Sequence, residues 1–377
     1  MIMSKPFRIG IDARFYGPAV GGGLGRYVGE LIAALEDLDH TYEYVIFLKK
    51  ENYDQYVPRA HNFRKVLADI HWYSLREATL FPRLIAHEHI DLMHFTHFNV
   101  PLWYTAPFVV TVHDLILPKY SRLRSLIHAP AYFAKLAAYR LIIAHALADA
   151  QKVIAVSHAT AEEITRMYGV AAGRIAVIPE GYALRTTSAS QPIKSDLLRN
   201  FILYVGSAYP HKNLTNAIRG FEQFRKQGNE FADWQFVLVG KLDFFYARLQ
   251  QWVVAEHIPN IIFYGFADDA ELADLYRRAR LCMTASREEG LGLPVLEALA
   301  LDCRIACSAI PAFQEIVGAS YPYLFDPLDP ADIGATLARL ARADTYLIDQ
   351  NIFTRYSWKN AARATRDLYV SVQETLV

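Results

Sequence analysis

The sequence has little cysteine, no excess charge of either sign and no long uninterrupted apolar run, and each shortage removes a class of function. Three cysteines stand in 377 residues: Cys282, Cys303 and Cys307. An odd number on strand-like runs argues against a disulfide framework and for buried thiols of a reducing compartment. Cys303 and Cys307 also lack the paired spacing of a zinc site. Lys plus Arg equals Asp plus Glu, at 39 each, so the chain does not read as a general nucleic-acid binder. No apolar run reaches the roughly 20 residues a membrane-spanning helix needs. Met1 to Pro6 leads straight into a strand, so no secretory leader is expected. The expected location is cytoplasmic, at most peripheral at the inner face of the cytoplasmic membrane. No Gly-x-Ser-x-Gly elbow exists to make Ser157-His158 a hydrolase nucleophile. Asp37-Leu38-Asp39 has the form of an Asp-x-Asp metal motif but ends a helix, far from strand termini, and is expected to be solvated surface. No metal and no resident cofactor are expected.

What is present is a core-forming α/β pattern. Residues are 53% hydrophobic, and the length favours two domains. Strands are predicted at Phe7 to Asp12, Tyr44 to Leu48, Leu92 to Phe95, Phe108 to His113, Lys152 to Ser157 and Ile175 to Pro179. Helices are predicted from Gly21 to about Leu38, with Tyr27, Val28, Leu31, Ile32 and Leu35 on one face, and at Leu75 to His89, Leu123 to Ala148 and Ala159 to Tyr168. Arg185 to Asn200 is polar and reads as a linker. The alternation then restarts, with strands at Phe201 to Gly206, Gln235 to Gly240, Ile261 to Gly265, Leu281 to Ala285 and Arg304 to Ser308. Strands alternating with helices imply parallel sheets covered on both faces. Trp358 to Thr375 reads as a long closing helix.

The stretch with the most chemical content is Ser286 to Ala300. It leaves an apolar strand, crosses a loop containing Gly290 and Gly292, and enters a helix at Pro294, read as the first helical residue. Glu297 is then placed in the first turn, where the helix dipole favours an anion. Bare glycine backbone lets N–H groups approach a ligand. One carboxylate on the loop, one on the helix and free donors between them suit a ligand with sugar hydroxyls and a phosphate.

Glu289 to Glu297 has the spacing E-x7-E, and Glu289-Gly290-Leu291-Gly292-Leu293-Pro294-Val295-Leu296-Glu297-Ala298 resembles the signature of retaining GT-B glycosyltransferases of family 4. Beyond it, Leu301 to Ser308 departs from the family's pattern, with Asp302 where a turn glycine is usual. Gly21-Gly22-Gly23-Leu24-Gly25-Arg26-Tyr27 resembles the family's glycine loop near the donor diphosphate and the acceptor. A dinucleotide fingerprint is the other reading of these glycines. They follow the strand by about ten residues instead of capping it, and the next strand ends in Lys49-Lys50 with no acid for a ribose, so that reading is disfavoured. Val112-His113-Asp114 ends a strand where the family places a histidine beside the reacting sugar carbon. Gly206 to Leu214 resembles the family's diphosphate loop, with Lys212 matching its lysine and with Ser207 and His211 standing where two arginines are common.

The resemblance covers nearly the whole chain and implies a GT-B fold. Two doubly wound Rossmann-like domains would face each other across a cleft: an acceptor domain of residues 1–184 plus 355–377, to which the C-terminal helix returns, and a nucleotide-sugar domain of residues 185–354. It implies His113 and Glu289 as the catalytic pair, Glu289 on the sugar hydroxyls and Glu297 on the ribose. Donor contacts would come from Gly22, Gly23, Ser207, Lys212, Phe266, Gly290, Leu291, Gly292 and Leu293, and acceptor-side contacts from His94, His97 and Asp114. The partners would be a nucleoside-diphosphate sugar and a saccharide or lipid-linked acceptor. The opening Gly10 to Arg14 run and the glycine loop resemble bacterial mannosyltransferases of the family, which favours GDP-mannose over a UDP-hexose. A nucleotide-sugar epimerase and a non-catalytic sugar-nucleotide-binding protein are the alternatives. The segment from Lys119 to His145 carries five basic residues and no acid, interleaved with apolar ones. It reads either as a peripheral contact to anionic membrane or as a core-packed helix with a basic edge.

Overall fold

The apolar runs pair in parallel into two separate sheets. The structure, a computed structural model, describes residues 6–116, 129–182, 200–346 and 348–376. The chain divides into two compact units, Met1–Gly181 with Arg355–Val377, and Tyr182–Thr354. Nearly all of the polar stretch 185–200 and the basic segment 119–128 lie outside the described residues.

In the first unit, seven described strands lie in the order β3-β2-β1-β4-β5-β6-β7. They are β1 (Arg8–Asp12), β2 (Glu43–Leu48), β3 (Phe63–Leu67), β4 (Leu92–Phe95), β5 (Phe108–Val112), β6 (Lys152–Ala155) and β7 (Ile175–Val177). Helices α1 (Pro18–Leu38), α2 (Leu75–His87), α3 (Ala129–Asp149) and α4 (His158–Tyr168) alternate with them. The predicted apolar face of α1 is buried in full. Gly22 breaks the helix early, at φ 57°, a conformation open to glycine. Gly25 is required by close approach, since a Cβ there would lie 2.1 Å from the carbonyl oxygen of Gly17. Strand β3 was not legible in the sequence. It is a sheet edge whose middle residues are partly exposed, so the apolar run that marks a buried strand is missing.

The second unit repeats the topology with six described strands, in the order β10-β9-β8-β11-β12-β13. They are β8 (Phe201–Val205), β9 (Gln235–Val239), β10 (Ile261–Gly265), β11 (Leu281–Thr284), β12 (Ile305–Ser308) and β13 (Leu324–Phe325). Its helices are α5 (Leu214–Arg225), α6 (Phe244–Ala255), α7 (Asp269–Arg278), α8 (Leu293–Ala300), α9 (Pro311–Val317), α10 (Pro330–Ala341) and α11 (Asn351–Arg355). All three cysteines are buried with free thiols.

The last helix, α12 (Trp358–Leu376), belongs to the first unit and packs on α1. A buried hydrogen-bonded chain ties it to the sheet. Tyr369 Oη lies 2.6 Å from His94 Nδ1. His94 Nε2 lies 2.8 Å from Thr111 Oγ1, which is 3.1 Å from Tyr27 Oη. Asp37-Leu38-Asp39 is only half the solvated surface predicted. Asp37 is exposed and pairs with Arg59. Asp39 is buried, and accepts hydrogen bonds from the Tyr44 hydroxyl and the Thr41 amide. It caps the end of α1 against β2, which explains a carboxylate there without a metal.

Candidate active site

In open α/β sheets the ligand crevice lies outside the carboxyl ends of the strands, where the strand order reverses. Each unit has one such point, between β1 and β4 in the first and between β8 and β11 in the second.

In the second unit the two loops meeting at that point are 206–213 and 285–292. Lys212 Nζ lies 2.6 Å from Glu289 Oε1, and Ser286 donates to the same oxygen at 2.7 Å. Burial opposes ionisation of Glu289, but the Lys212 charge and the hydrogen bonds from Lys212 and Ser286 outweigh it and hold the carboxyl below its ordinary range. Both side chains keep an opening to solvent, 18% for Lys212 and 12% for Glu289. The result is an ion pair that a phosphate or a sugar hydroxyl can reach.

Asn213 stitches the two loops together, a role the sequence did not reveal. It sits at φ 58°, in the left-handed region that asparagine tolerates best after glycine. Its Nδ2 donates to the carbonyls of Ala285 at 3.0 Å and Pro327 at 2.7 Å, and its Oδ1 accepts from Arg287 Nε at 3.2 Å. The Arg287 amide donates to the His211 carbonyl, closing the stitch. Replacing Asn213 with alanine strands the buried Ala285 carbonyl, takes one of its two side-chain donors from the Pro327 carbonyl, and puts a residue with a Cβ but no polar side chain in the left-handed region. The loss is expected to be roughly 2–4 kcal/mol of stability, read by chemical denaturation. A loss below about 0.5 kcal/mol, the scale of an ordinary surface substitution, would show that the loops hold together without it.

Gly206 and Gly240 allow the ends of β8 and β9 to touch, since a Cβ on Gly240 would meet the Gly206 carbonyl at 2.1 Å. The Tyr204 hydroxyl donates to the Ser207 carbonyl. Phe266 follows Gly265 at the end of β10 and is 77% exposed. Gly290, Leu291 and Gly292 are buried and Leu293 is half-buried.

The entry into α8 differs from expectation. Leu293 opens the helix, Pro294 is its second residue, and no acid lies in the first turn. Gly292 at φ 112° turns the chain into the helix one residue early, and a Cβ there would collide with the Phe313 ring at 2.6 Å. Glu297 therefore falls in the second turn. It is buried, and its Oε2 accepts from the Tyr276 hydroxyl at 3.0 Å.

In the first unit, His113 follows β5. Its Nδ1 lies 2.7 Å from Glu180 Oε1 and its Nε2 2.9 Å from the Thr96 carbonyl oxygen. The Tyr27 ring meets it edge-on at 4.6 Å. Burial works against the imidazolium, but the hydrogen bond and charge of Glu180 and the Thr96 carbonyl outweigh it, so the pKa is raised. Asp114 is half-buried and accepts from the Ile116 amide. His97 receives the Asn99 amide at 3.3 Å and lies near Phe15. Burial and the neighbouring His113 push both His94 and His97 down to about 3. His94 is wholly buried with both ring nitrogens engaged inside the core, whereas His97 keeps a partial opening to solvent. Gly22 and Gly23 are exposed, with no atom within 4 Å of a Cβ built on either.

A second network absent from the sequence reading supports this edge. Arg14 is fully buried. It makes paired hydrogen bonds to Asp12 at 2.8 and 2.7 Å, and its Nη2 lies 2.8 Å from Glu77 Oε1. Glu77 also accepts from Asn99 Nδ2 at 2.7 Å and from the Tyr73 amide. Burying this much charge is tolerable only because every group is paired. The network braces the loops after β1 and β4.

Two Rossmann-like units, one presenting a lysine–carboxylate pair and the other a carboxylate-bound histidine at strand ends, define a GT-B glycosyltransferase architecture. Two family models run without a gap along most of the chain: Glycosyltransferase Family 4 over residues 21–185 and Glycosyl transferases group 1 over residues 186–362. The chain belongs to this glycosyltransferase family. It is 27% identical over 228 residues to the O-antigen chain mannosyltransferase RfbU of Salmonella typhimurium, a match covering 60% of this chain and 59% of that protein. It is 26% identical over 239 residues to O-antigen chain mannosyltransferase B of Escherichia coli, covering 59% and 61%. The matches thus span about three-fifths of these two relatives. The sucrose-phosphate synthase of Thermosynechococcus elongatus shares the fold, with a TM-score of 0.67 and 19% identity over 98% of this chain and 97% of that one.

Proposed function

We propose that this protein is a retaining, metal-independent hexosyltransferase that moves mannose from GDP-mannose to a saccharide or lipid-linked saccharide in polysaccharide biosynthesis. The observation that carries this reading is the Lys212–Glu289 pair at the strand-order reversal of the second unit. Lys212 would take the diphosphate and Glu289 the sugar hydroxyls. The choice of mannose rests on the two O-antigen mannosyltransferases among the relatives.

The chemistry follows from what each group has free. Glu289 is paired with a lysine, and Glu297, eight positions after it, is buried against Tyr276. Neither is arranged as one of two carboxylates flanking a sugar carbon, as in retaining glycosidases. We therefore assign no protein nucleophile. The acceptor oxygen bonds to the anomeric carbon on the face the diphosphate leaves, the carbon–oxygen bond to phosphate breaks, and the acceptor proton passes to a phosphate oxygen. The leaving charge is met by Lys212 and by backbone N–H groups of the same unit.

Among the described residues, no helix is long and apolar enough to cross a membrane. We propose that the basic segment 119–145 gives the protein a peripheral contact with anionic lipid. Arg140 and Leu141 are exposed on the described part of α3, whereas Ile143 is core. Failure to sediment with anionic vesicles at low salt would remove this contact.

The donor assignment is tested by calorimetry with GDP, GDP-mannose, UDP and UDP-glucose in the presence of EDTA. The guanine pair should bind more tightly. Preference for the uridine pair would identify a UDP-hexose transferase. No binding of any of the four would overturn the reading of the site.

A further inference from the structure

His113 is read above as a group that meets the donor sugar, yet both of its ring nitrogens already face acceptors within the first unit. Glu180 Oε1 lies 2.7 Å from Nδ1, and the Thr96 carbonyl oxygen 2.9 Å from Nε2. A carbonyl oxygen has no proton to give, and a carboxylate only accepts. A neutral imidazole, with one N–H, satisfies only one of these contacts, and the other becomes lone pair against lone pair. The doubly protonated ring satisfies both.

We propose that Glu180 is a positioning residue for the transfer: together with the Thr96 carbonyl it fixes His113 as an imidazolium, so that His113 acts through its positive charge and not through a free ring nitrogen.

The surroundings fit this assignment. Glu180 is 5% exposed and His113 17% at the side chain, so the pair is shielded from water yet opens to the surface at the strand end. Glu180 is set by its neighbour: Gly181 packs against the start of α12, where a Cβ would lie 2.3 Å from the Trp358 amide nitrogen. The titratable groups around the pair leave the charge to Glu180. Asp114, next in the chain, adds negative charge that favours the imidazolium. His97 and His94, from β4 and the loop after it, are held neutral. Tyr27, from α1, keeps its proton because burial pushes its pKa up. A fixed positive charge suits a reaction whose leaving group is a diphosphate. The sign of the pH effect follows. A histidine whose folded pKa is raised contributes stabilisation that is complete below the unfolded value near 6.5 and is lost as pH rises through the folded value. Turnover should therefore fall on the alkaline side.

The proposal rests on the assignment of His113 to the donor site, but its test does not. The histidine rings of the full-length protein are titrated by nitrogen-15 NMR, with His113→Asn identifying the resonance. Wild type should show both His113 nitrogens protonated at neutral pH. Glu180→Gln keeps an oxygen acceptor but no charge, and should lower the titration midpoint by about one unit or more. Glu180→Asp should restore most of it. The alkaline limb of kcat should move with the midpoint while KM for the donor stays within about twofold, because the effect is on the reacting state. A His113 neutral at pH 7 in wild type, or a midpoint unmoved in Glu180→Gln, would overturn the proposal whether or not the protein proves to be a transferase. A moved midpoint with an unmoved kcat limb would overturn the positioning role.

Discussion

Lys212→Ala should lower kcat/KM for the nucleotide sugar by about 2–4 kcal/mol of transition-state stabilisation, the scale of removing one preorganised electrostatic contact. Two arginines common at this loop in the family are Ser207 and His211 here, so Lys212 is the principal cation of the loop and little backs it up. Arg287 is exposed beside it, but its Nε is already committed to Asn213. The same substitution should also destabilise the protein in a pH-dependent way. Glu289 is held below its ordinary pKa by Lys212 and Ser286, so its contribution is present above the unfolded value of about 4.3 and lost as pH falls through the folded one. Without Lys212 the buried carboxylate has lost its counter-charge, and Lys212→Ala should be furthest below wild type near pH 8 and closest near pH 4. Adding Glu289→Gln should recover much of that difference, since removing both partners removes the unpaired charge. Thermal melts across pH check this, and a destabilisation independent of pH would show that the pair is not coupled.

Glu289→Gln should separate binding from turnover. The amide keeps the shape but not the charge, so kcat should fall on the order of a hundredfold. Affinity for GDP should not weaken, because Lys212 is no longer held by a competing carboxylate and is freer to meet phosphate. Calorimetry with GDP and steady-state kinetics on the same variant read the two effects. Wild-type turnover in Glu289→Gln would remove this residue from the reaction.

Much of the fold was legible because both sheets are parallel and buried on both faces, so stretches such as Phe108-Val109-Val110 and Phe236-Val237-Leu238 show as unbroken apolar runs. The edge strands β3 and β13 were not. β3 is partly exposed, and β13 has only two residues, so neither carries a periodic signal. In the site, Lys212 and Glu289 were legible because each lies in a local motif at a strand end. Glu180 lies 67 positions from His113, and nothing local to Ile178-Pro179-Glu180-Gly181 points to its partner beyond its place after a strand. Asn213 was visible in the diphosphate loop, but its role depends on a positive φ and on carbonyls from two distant loops. Arg14 and Asp12 stood in view as neighbours. Their burial is completed by Glu77, which arrives from α2 and takes a further contact from Arg14. Glu297 falls in the second turn and not the first because Gly292 caps the helix and Leu293 opens it one residue before Pro294.

The central claim is hexosyl transfer with retention and without metal, and one measurement reaches it most directly. Purified protein is incubated with GDP-mannose in excess EDTA, and proton NMR follows the anomeric signals from the first minutes, before free sugar equilibrates. The mannose in the donor is α-linked. GDP-mannose should be consumed with α-configured mannose appearing first, as glycoside when a mannan acceptor is supplied or as slowly released sugar without one, and this activity should be lost in Lys212→Ala. First appearance of the β-anomer, or turnover only when a divalent metal is restored, would contradict it.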